Sequence, residues 1–215
     1  ALLEMWNQYA NQELPRDRSA QAQATQPSQD QIATLVNLYN SGQLIKTEQA
    51  CRNLLQTYPQ SLDVINFLGA ALKGQGKLQE AVASFDRAIQ LKPDSAETYS
   101  YRGTVLNELG QLDEAVASFD KAIQFKPDYA EAYNNRGVAL QDLERVDEAL
   151  MNYDKAIQFK PDYAEAYYNR GNALVRLGRL DDALKNYDKA IQLKPDFADA
   201  YSNRGALFRE LYWLE

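Results

Sequence analysis

The chain has 215 residues, 45% hydrophobic and 25% charged, as in folded globular proteins, and no apolar run approaches the ~20 residues that a membrane span needs. Its formal net charge of −7 argues against nucleic-acid binding, which requires a basic surface. The sequence has no histidine and one cysteine, Cys51, which excludes histidine-dependent triads, most zinc sites and an internal disulfide. Composition therefore favours a binding protein without a cofactor over an enzyme.

The first 27 residues differ in pattern from the rest of the chain. Leu2, Trp6 and Tyr9 are spaced as one face of a helix, so residues 1–15 are predicted to form a short docking helix. About 14 residues make only a marginal helix in water, so this helix should fold by packing on another surface. A remnant added for expression is the alternative. Residues 16–27 lack apolar periodicity and predict a flexible linker.

The remainder of the chain repeats with a period of 34 residues. Prolines and glycines keep this interval at Pro59, Pro93, Pro127, Pro161 and Pro195 and at Gly69, Gly103, Gly137, Gly171 and Gly205. Self-similarity at a fixed period indicates a stacked repeat architecture. The predicted units are a degenerate one at 28–61, full ones at 62–95, 96–129, 130–163 and 164–197, and a truncated one, with the first helix only, at 198–215.

Each unit reads as helix, turn, helix. In 96–129 two apolar patterns with helical spacing are separated by Gly110, and Pro127 ends the second. Glycine is expected where a helix ends in a left-handed residue, and its counterparts are Gly42, Gly76 and Gly178. Asp128 and Glu131 predict a capping box at the start of the next unit.

Small and aromatic residues recur at positions that should pack the two helices together. Gly137 is predicted to face Ala149 and Ala156, so that the backbones approach closely. The recurring tyrosines are predicted to fill the core rather than to stack on bases or sugars. The arginines of the first helices are predicted to pair with the aspartates of the second helices, with anion binding as the alternative; these are Arg102, Arg136, Arg170 and Arg204, and Asp86, Asp120, Asp154 and Asp188.

One unit carries the pattern Tyr133-x2-Arg136-Gly137-x2-Leu140, then Ala149-x3-Tyr153-x2-Ala156 and Pro161, which resembles the tetratricopeptide repeat (TPR). The resemblance covers about 170 residues and extends to bacterial TPR proteins and to the TPR arms of O-linked N-acetylglucosamine transferases. It implies an all-α, right-handed superhelical solenoid of antiparallel helix pairs, with a concave groove that binds peptide or protein. The arginines replace the usual leucine, and Thr47 and Cys51 replace the alanine and aromatic residue of the first unit.

The resemblance places positions 2, 5, 6, 9, 12 and 13 of each unit in the groove. An asparagine row at position 6 (Asn135, Asn169 and Asn203) resembles the asparagine ladder of those transferase arms. An amide offers a donor and an acceptor, so it can hold peptide backbone of any sequence. The alternative is that these amides only bond neighbouring helices. The predicted peptide-binding set is Asn66, Tyr101, Asn134, Asn135, Tyr168, Asn169, Asn172, Asn203, Glu131 and Glu165.

Position 2 is acidic in the five units from residue 62 onward: Asp63, Glu97, Glu131, Glu165 and Asp199. Helix capping accounts for acids there, yet they also predict a negative groove that favours a neutral or basic, extended peptide. Some chaperone-binding members of the family clamp a terminal carboxylate with basic residues at the groove positions. Here only Lys73, Arg176 and Arg209 are available, so no clamp is predicted.

The sequence ends on an apolar half-repeat, with Tyr201, Leu207, Phe208, Leu211 and Trp213 expected at its surface. This predicts self-association through uncapped ends and suggests a part of a longer repeat protein. The function that we expect is a non-catalytic, cytoplasmic protein–protein interaction scaffold that binds an extended segment in its groove. The alternatives are a substrate-docking arm of a larger enzyme, such as a glycosyltransferase, and a self-assembling structural element.

Overall fold

The computed structural model describes residues 26–212. For Tyr212 it describes the backbone alone. This range is about 80% helical and contains no strand. Its eleven helices are α1 (Gln29–Asn40), α2 (Leu44–Thr57), α3 (Leu62–Gly74), α4 (Leu78–Leu91), α5 (Ala96–Glu108), α6 (Leu112–Phe125), α7 (Ala130–Asp142), α8 (Val146–Phe159), α9 (Ala164–Arg176), α10 (Leu180–Leu193) and α11 (Ala198–Tyr212). The predicted docking helix at 1–15, and most of the linker predicted at 16–27, lie outside the described residues.

The chain divides into two compact units, the first ending at Glu108 and the second beginning at Leu109. Consecutive helices pack on each other within each unit, α1 to α5 in the first and α6 to α11 in the second. In the second unit α7 also contacts α9, so successive first helices are neighbours. The predicted all-α repeat of helix pairs is confirmed.

The turns between paired helices contain a left-handed residue. Gly42, Gly76, Gly110 and Gly178 have φ between 70° and 75°, as predicted, and Glu144 takes the same place with φ 59°. A side chain in this conformation costs roughly 1–2 kcal/mol, and glycine avoids that cost. Four of the five turns therefore use the residue that fits the backbone.

The start of α7 differs from the prediction. Its N-cap is Tyr129, without a side-chain hydrogen bond, so the capping box predicted for Asp128 and Glu131 is wrong. A capping box does occur at the start of α1. There the Ser28 Oγ accepts from the Gln31 N–H at 3.3 Å, and the Ser28 N–H donates to Gln31 Oε1 at 2.9 Å.

Glycine and an aromatic ring form the central contact of a helix pair. A Cβ added at Gly137 would lie 2.6 Å from Cε1 of Tyr153, whose side chain is 1% exposed. The prediction that Gly137 faces Ala149 and Ala156 is thus corrected, because the space holds the tyrosine ring. Because glycine has no side chain, the aromatic ring of the paired helix fits against its backbone. The contact between glycine and ring fixes how closely the two helices pack.

The unusual residues of the first unit belong to its core. Thr47 and Cys51 in α2 are both fully buried. Burial raises the pKa of the Cys51 thiol to about 12, so the thiol stays protonated at neutral pH. Cys51 is smaller than the aromatic residue of the later units and Thr47 is larger than their alanine, yet both side chains are accommodated in the interior.

Burial along α11 differs from the prediction at two residues. Leu207 is buried at 4% exposure, although we expected it at the surface. Tyr201 is 47% exposed, as expected for the surface of the last half-repeat, so the broader prediction that the recurring tyrosines are core is wrong at this position. Tyr153 and Tyr187 do lie in the core, at 1% and 2% exposure.

The predicted arginine–aspartate pairs are confirmed in all four repeats. The N–O distances are 2.6 Å for Arg102–Asp86, 2.7 Å for Arg136–Asp120, 2.6 Å for Arg170–Asp154 and 2.6 Å for Arg204–Asp188. Two of these arginines also donate to an asparagine on their partner helix, Arg136 to Asn152 at 3.1 Å and Arg170 to Asn186 at 2.9 Å. Each such guanidinium joins a first helix to the second helices on both sides of it.

Candidate peptide-binding site

Amide side chains connect α7 and α9 in the second unit. Asn169 Nδ2 donates to Asn134 Oδ1 at 3.0 Å, and Asn134 Nδ2 donates to Asn135 Oδ1 at 3.1 Å. Asn134 is 4% exposed, so it needs these bonds to compensate for its burial. The predicted row therefore has a role between helices that requires no ligand.

A second cluster connects α11 to α9 and α10. Asn203 Nδ2 donates to the Tyr168 hydroxyl and to Asn172 Oδ1, both at 3.0 Å. The Tyr187 hydroxyl donates to the same Asn172 oxygen at 2.8 Å. Burial raises the pKa of Tyr187 to about 12, so the phenol keeps the proton that it donates.

These bonds leave one donor and one acceptor unused. Among the described residues, the Asn172 amino group and the Asn203 carbonyl oxygen have no hydrogen-bond partner. The bond between Asn203 and Asn172 couples the two amides, because swapping oxygen and nitrogen in either one alone would break it. An oriented N–H donor and an oriented C=O acceptor therefore lie on neighbouring helices.

Both amides line a cavity of about 420 Å³, which we call the Asn172 cavity. Its other lining residues are Gln141, Val175, Arg176, Tyr187, Ala206, Leu207 and Glu210. Sequence reasoning missed several of these, including Gln141 and Glu210. They occupy positions 12 and 13 of their units, where only basic residues had been sought. Considering all polar side chains at positions 12 and 13, and not basic ones alone, would have identified both residues from the sequence.

The two predicted glutamates are paired with lysines. Lys160 Nζ lies 3.0 Å from Glu131 Oε1, and Lys194 Nζ lies 2.9 Å from Glu165 Oε1. Partial burial raises the pKa of each carboxyl, but the lysine and a backbone N–H outweigh it and hold both pKa values below the usual range. Both carboxylates are charged at neutral pH, and each has a cation beside it. The contribution of these acids to a negative groove is correspondingly reduced.

The predicted residues of the first unit have local partners. Asn66 Oδ1 accepts from the Thr98 hydroxyl at 3.4 Å, and Asn66 is 9% exposed. The half-buried Tyr101 ring lies 5.8 Å from the Phe85 ring. Lys73, a basic residue at a groove position, pairs with Glu108 at 2.8 Å.

In the second unit, Arg176 is also engaged. It donates to the Gln141 carbonyl at 2.6 Å and pairs with Glu144 at 3.1 Å. A guanidinium held in this way is not aimed at an incoming carboxylate, so the geometry gives no support to a carboxylate clamp.

Paired helices in a 34-residue repeat, joined by glycine–ring contacts, define an all-helical repeat protein. A sequence model of the TPR repeat family matches residues 69–108, 103–144, 142–178 and 171–211, more than half of the chain. The chain belongs to the TPR family, and family and fold together support a role as a protein-interaction scaffold. Within the described residues, every helix is too short or too polar to cross a membrane.

Solved structures of similar proteins agree with this assignment. MamA is 25% identical with a TM-score of 0.65, over 76% of this chain and 95% of MamA. YrrB, described as a TPR protein with an unusual peptide-binding site, is 23% identical with a TM-score of 0.63, over 81% and 90% of the two chains. TTC0263, a TPR protein from Thermus thermophilus, is 21% identical with a TM-score of 0.73, over 84% and 98%. No curated protein sequence matches the chain.

Proposed function

We propose that the chain is a non-catalytic scaffold whose second unit binds an extended peptide segment of a partner protein at the Asn172 cavity. The observation that carries this proposal is the oriented pair of unused groups, the Asn172 amino group and the Asn203 carbonyl, beside a cavity of about 420 Å³. The peptide-binding site named for YrrB supports such a role for a related fold.

The two amides match the N–H and the C=O of one residue of an extended chain, because these two groups point to the same side of the strand. The peptide carbonyl would accept from Asn172 Nδ2, and a peptide N–H would donate to Asn203 Oδ1. Each bond contributes a net ~0.5–1.5 kcal/mol and is independent of the peptide's side chains. Because the amides are already held by their neighbours, little side-chain entropy is lost on binding.

Selectivity would come from the other lining residues. Val175, Ala206 and Leu207 supply an apolar surface for one aliphatic side chain of the peptide. Glu210 also lines the cavity and is exposed, whereas the charge of Arg176 is balanced by Glu144. Together with the net charge of −7, this balance favours neutral or basic segments over acidic ones.

The proposal is tested with a variant that removes only the unused donor. In Asn172→Asp the oxygen that accepts from Tyr187 and Asn203 is kept, while the amino group becomes a second acceptor. A peptide library first selects a neutral ligand for the wild-type chain. Calorimetry should then show affinity for that peptide reduced about tenfold or more, since one bond is replaced by a repulsive contact.

Asn53→Asp provides the control, because it adds the same charge at an exposed position of α2 in the first unit. Its affinity should equal that of the wild type. The proposal is wrong if Asn172→Asp binds the neutral peptide as tightly as the wild type while its circular dichroism is unchanged. It is also wrong if the library yields no ligand.

A further inference from the structure

The first turn of α2 differs from the first turns of the other second helices. Its residue Ile45 is 72% exposed, the largest exposed fraction of any large apolar side chain among the described residues. The equivalent residues of the next four repeats are polar and exposed: Gln79, Asp113, Asp147 and Asp181. This position is therefore exposed wherever it occurs along the stack, and its exposure does not depend on what precedes or follows the repeats. What sets α2 apart is that the exposed residue is apolar.

The charge of this turn is reversed as well. α2 has no acidic residue in its first turn, and its N-cap, Gln43, makes no side-chain hydrogen bond. Lys46 stands where the next four repeats have acids: Glu80, Glu114, Glu148 and Asp182. Its ammonium donates to Gln43 Oε1 at 2.7 Å, and within the described part of the chain no carboxylate pairs with it. Because a helix N-terminus carries a positive partial charge, a carboxylate brought to this turn from elsewhere is favourable.

An apolar cavity of about 410 Å³ lies at the same turn. We call its lining the Ile45 patch, which consists of Gly42, Gln43, Leu44, Ile45, Lys46 and Gln75. Leu44 packs on the end of α3, because its Cδ1 lies 2.7 Å from the place of a Cβ added at Gly74. Gln75 Nε2 donates to Glu48 Oε2 at 2.9 Å, so this side chain is also held. The patch is thus formed before anything docks, which lowers the entropic cost of docking.

The sequence of residues 1–15, which lie outside the described residues, complements this patch. Leu2, Trp6 and Tyr9 are spaced as one helix face, and Glu13 continues the same stripe by one more turn. Glu4 and Glu13 are the only charged side chains of the segment, so both of its charges are negative. The stripe therefore brings apolar side chains and then a carboxylate, which match an apolar surface beside an ammonium.

The connecting residues are long enough for this contact. The patch lies at the end of α1 that is opposite to Ser28, and the 12 residues of α1 make a helix about 18 Å long. Residues 16–27 span up to about 40 Å when they are extended. Because the segment and the patch are tethered, their effective concentration is on the order of millimolar, so even a weak contact is populated.

We propose that residues 1–15 dock as an amphipathic helix on the Ile45 patch of the same chain. Leu2, Trp6 and Tyr9 cover Ile45, and Glu13 lies beside Lys46 at the start of α2. The helix forms only in this contact, since about 14 residues alone are a marginal helix in water. The contact belongs to the first unit and does not depend on peptide binding at the Asn172 cavity.

Amide hydrogen exchange of the full chain, followed by mass spectrometry on a fragment that covers residues 1–15, tests this contact. In the wild type the fragment should exchange at least about tenfold more slowly than a synthetic peptide of the same sequence, because docking protects the helix amides. Ile45→Asp should remove most of this protection. The variant should fold normally, since three other repeats carry aspartate at that position. Gln79→Asp makes the equivalent change in the next repeat and is the control, which should exchange as the wild type does.

A charge exchange tests the position of Glu13. Lys46→Glu and Glu13→Lys should each speed exchange of the fragment, because each places two like charges side by side. The double variant should regain slow exchange, since the two charges attract again. If the double variant exchanges as fast as the single variants, Glu13 does not lie beside Lys46 and the proposal is wrong.

Other arrangements give different results. The proposal is overturned if the wild-type fragment exchanges as fast as the synthetic peptide. It is also overturned if the fragment keeps its protection in both Ile45→Asp and Ile45→Gln, because the segment then docks elsewhere. A second copy is the occupant, and the proposal is again wrong, if protection present at ~100 μM is lost at ~1 μM, as mass action requires for a contact between chains.

Discussion

Substitution of Gly137 by valine tests the contact that joins the helices of a repeat. Valine is the better helix former by about 0.3 kcal/mol, so helix propensity alone predicts a small gain in stability. The packing predicts the opposite sign. An added Cβ would lie 2.6 Å from Tyr153 Cε1 and 2.9 Å from its Cδ1, far inside ordinary van der Waals contact.

The size of the loss depends on whether the ring can move. Tyr153 is 1% exposed, and its hydroxyl donates to Gln141 Oε1 at 3.2 Å, so it is enclosed by neighbours and held at its tip. Overpacking of this kind costs ~1–3 kcal/mol. Complete displacement of the ring would approach the ~3–5 kcal/mol lost when a buried aromatic residue is removed. We therefore expect Gly137→Val to lose about 1–3 kcal/mol in the free energy of unfolding.

Urea unfolding followed by far-ultraviolet circular dichroism measures this loss. Gly205→Val is the matched control, since it makes the same change in a first helix where no atom of the described residues lies within 4 Å of the added Cβ, and it should be neutral or slightly stabilising. A double-mutant cycle with Tyr153→Ala should show strong coupling, because removal of the ring relieves the clash. Equal stability of Gly137→Val and the wild type would refute the assigned contact.

Three further changes have defined outcomes. Glu48 accepts from Lys77, Arg52 and Gln75, with the Lys77 bond foremost, and these bonds lower its pKa to about 2. Wild-type stability should therefore fall as the pH is lowered from about 5 towards 2. The wild type loses part of its free energy of unfolding between about pH 7 and about pH 3. In Glu48→Gln this loss should be smaller by about 1 kcal/mol, as measured by urea unfolding at the two pH values. Arg170→Lys should lose about 1 kcal/mol, because an ammonium cannot reproduce the two directed bonds of the guanidinium. Glu144→Gly should gain about 1 kcal/mol, because it relieves a left-handed φ of 59°.

Each of these changes has a result that would contradict it. An equal acid response in Glu48→Gln and the wild type would show that this carboxylate does not set the pH dependence. Wild-type stability in Arg170→Lys would mean that a single charge suffices there. A loss on Glu144→Gly would mean that the contact of Glu144 with Arg176 outweighs the backbone strain.

The repeat could be predicted from the sequence because its determinants are local or strictly periodic. Gly110 and Pro127 end helices through their own backbone chemistry, which requires no knowledge of neighbours. The pairing of Arg136 with Asp120 was predictable because opposite charges recur at one interval. Such features repeat in every unit, so one correct interpretation applies to several helix pairs.

Other features depended on three-dimensional contacts that no spacing reveals. Asp128 has the right residue type for an N-cap, yet the helix starts after Tyr129. Gly137 was correctly predicted as a close contact, but its partner proved to be Tyr153. Glu131 was predicted as a groove acid, and only the structure shows Lys160 beside it. In each case the residue was noticed, and the missing information was which neighbour reaches it.

The asparagine row shows the same limit. For its replacement by alanine, the sequence alone and the structure predict opposite effects on stability. As solvated groove residues, Asn135, Asn169 and Asn203 could all be changed to alanine with little effect on folding. In the structure, Asn169 donates to the buried Asn134, and Asn203 donates to two groups on α9. Each lost bond costs a net ~0.5–1.5 kcal/mol, and Asn134 would be left with an unpaired buried oxygen. The triple variant should therefore lose about 2–4 kcal/mol in the free energy of unfolding, measured in urea. A triple variant as stable as the wild type would show that the inter-helix bonds are exchanged for water at no cost.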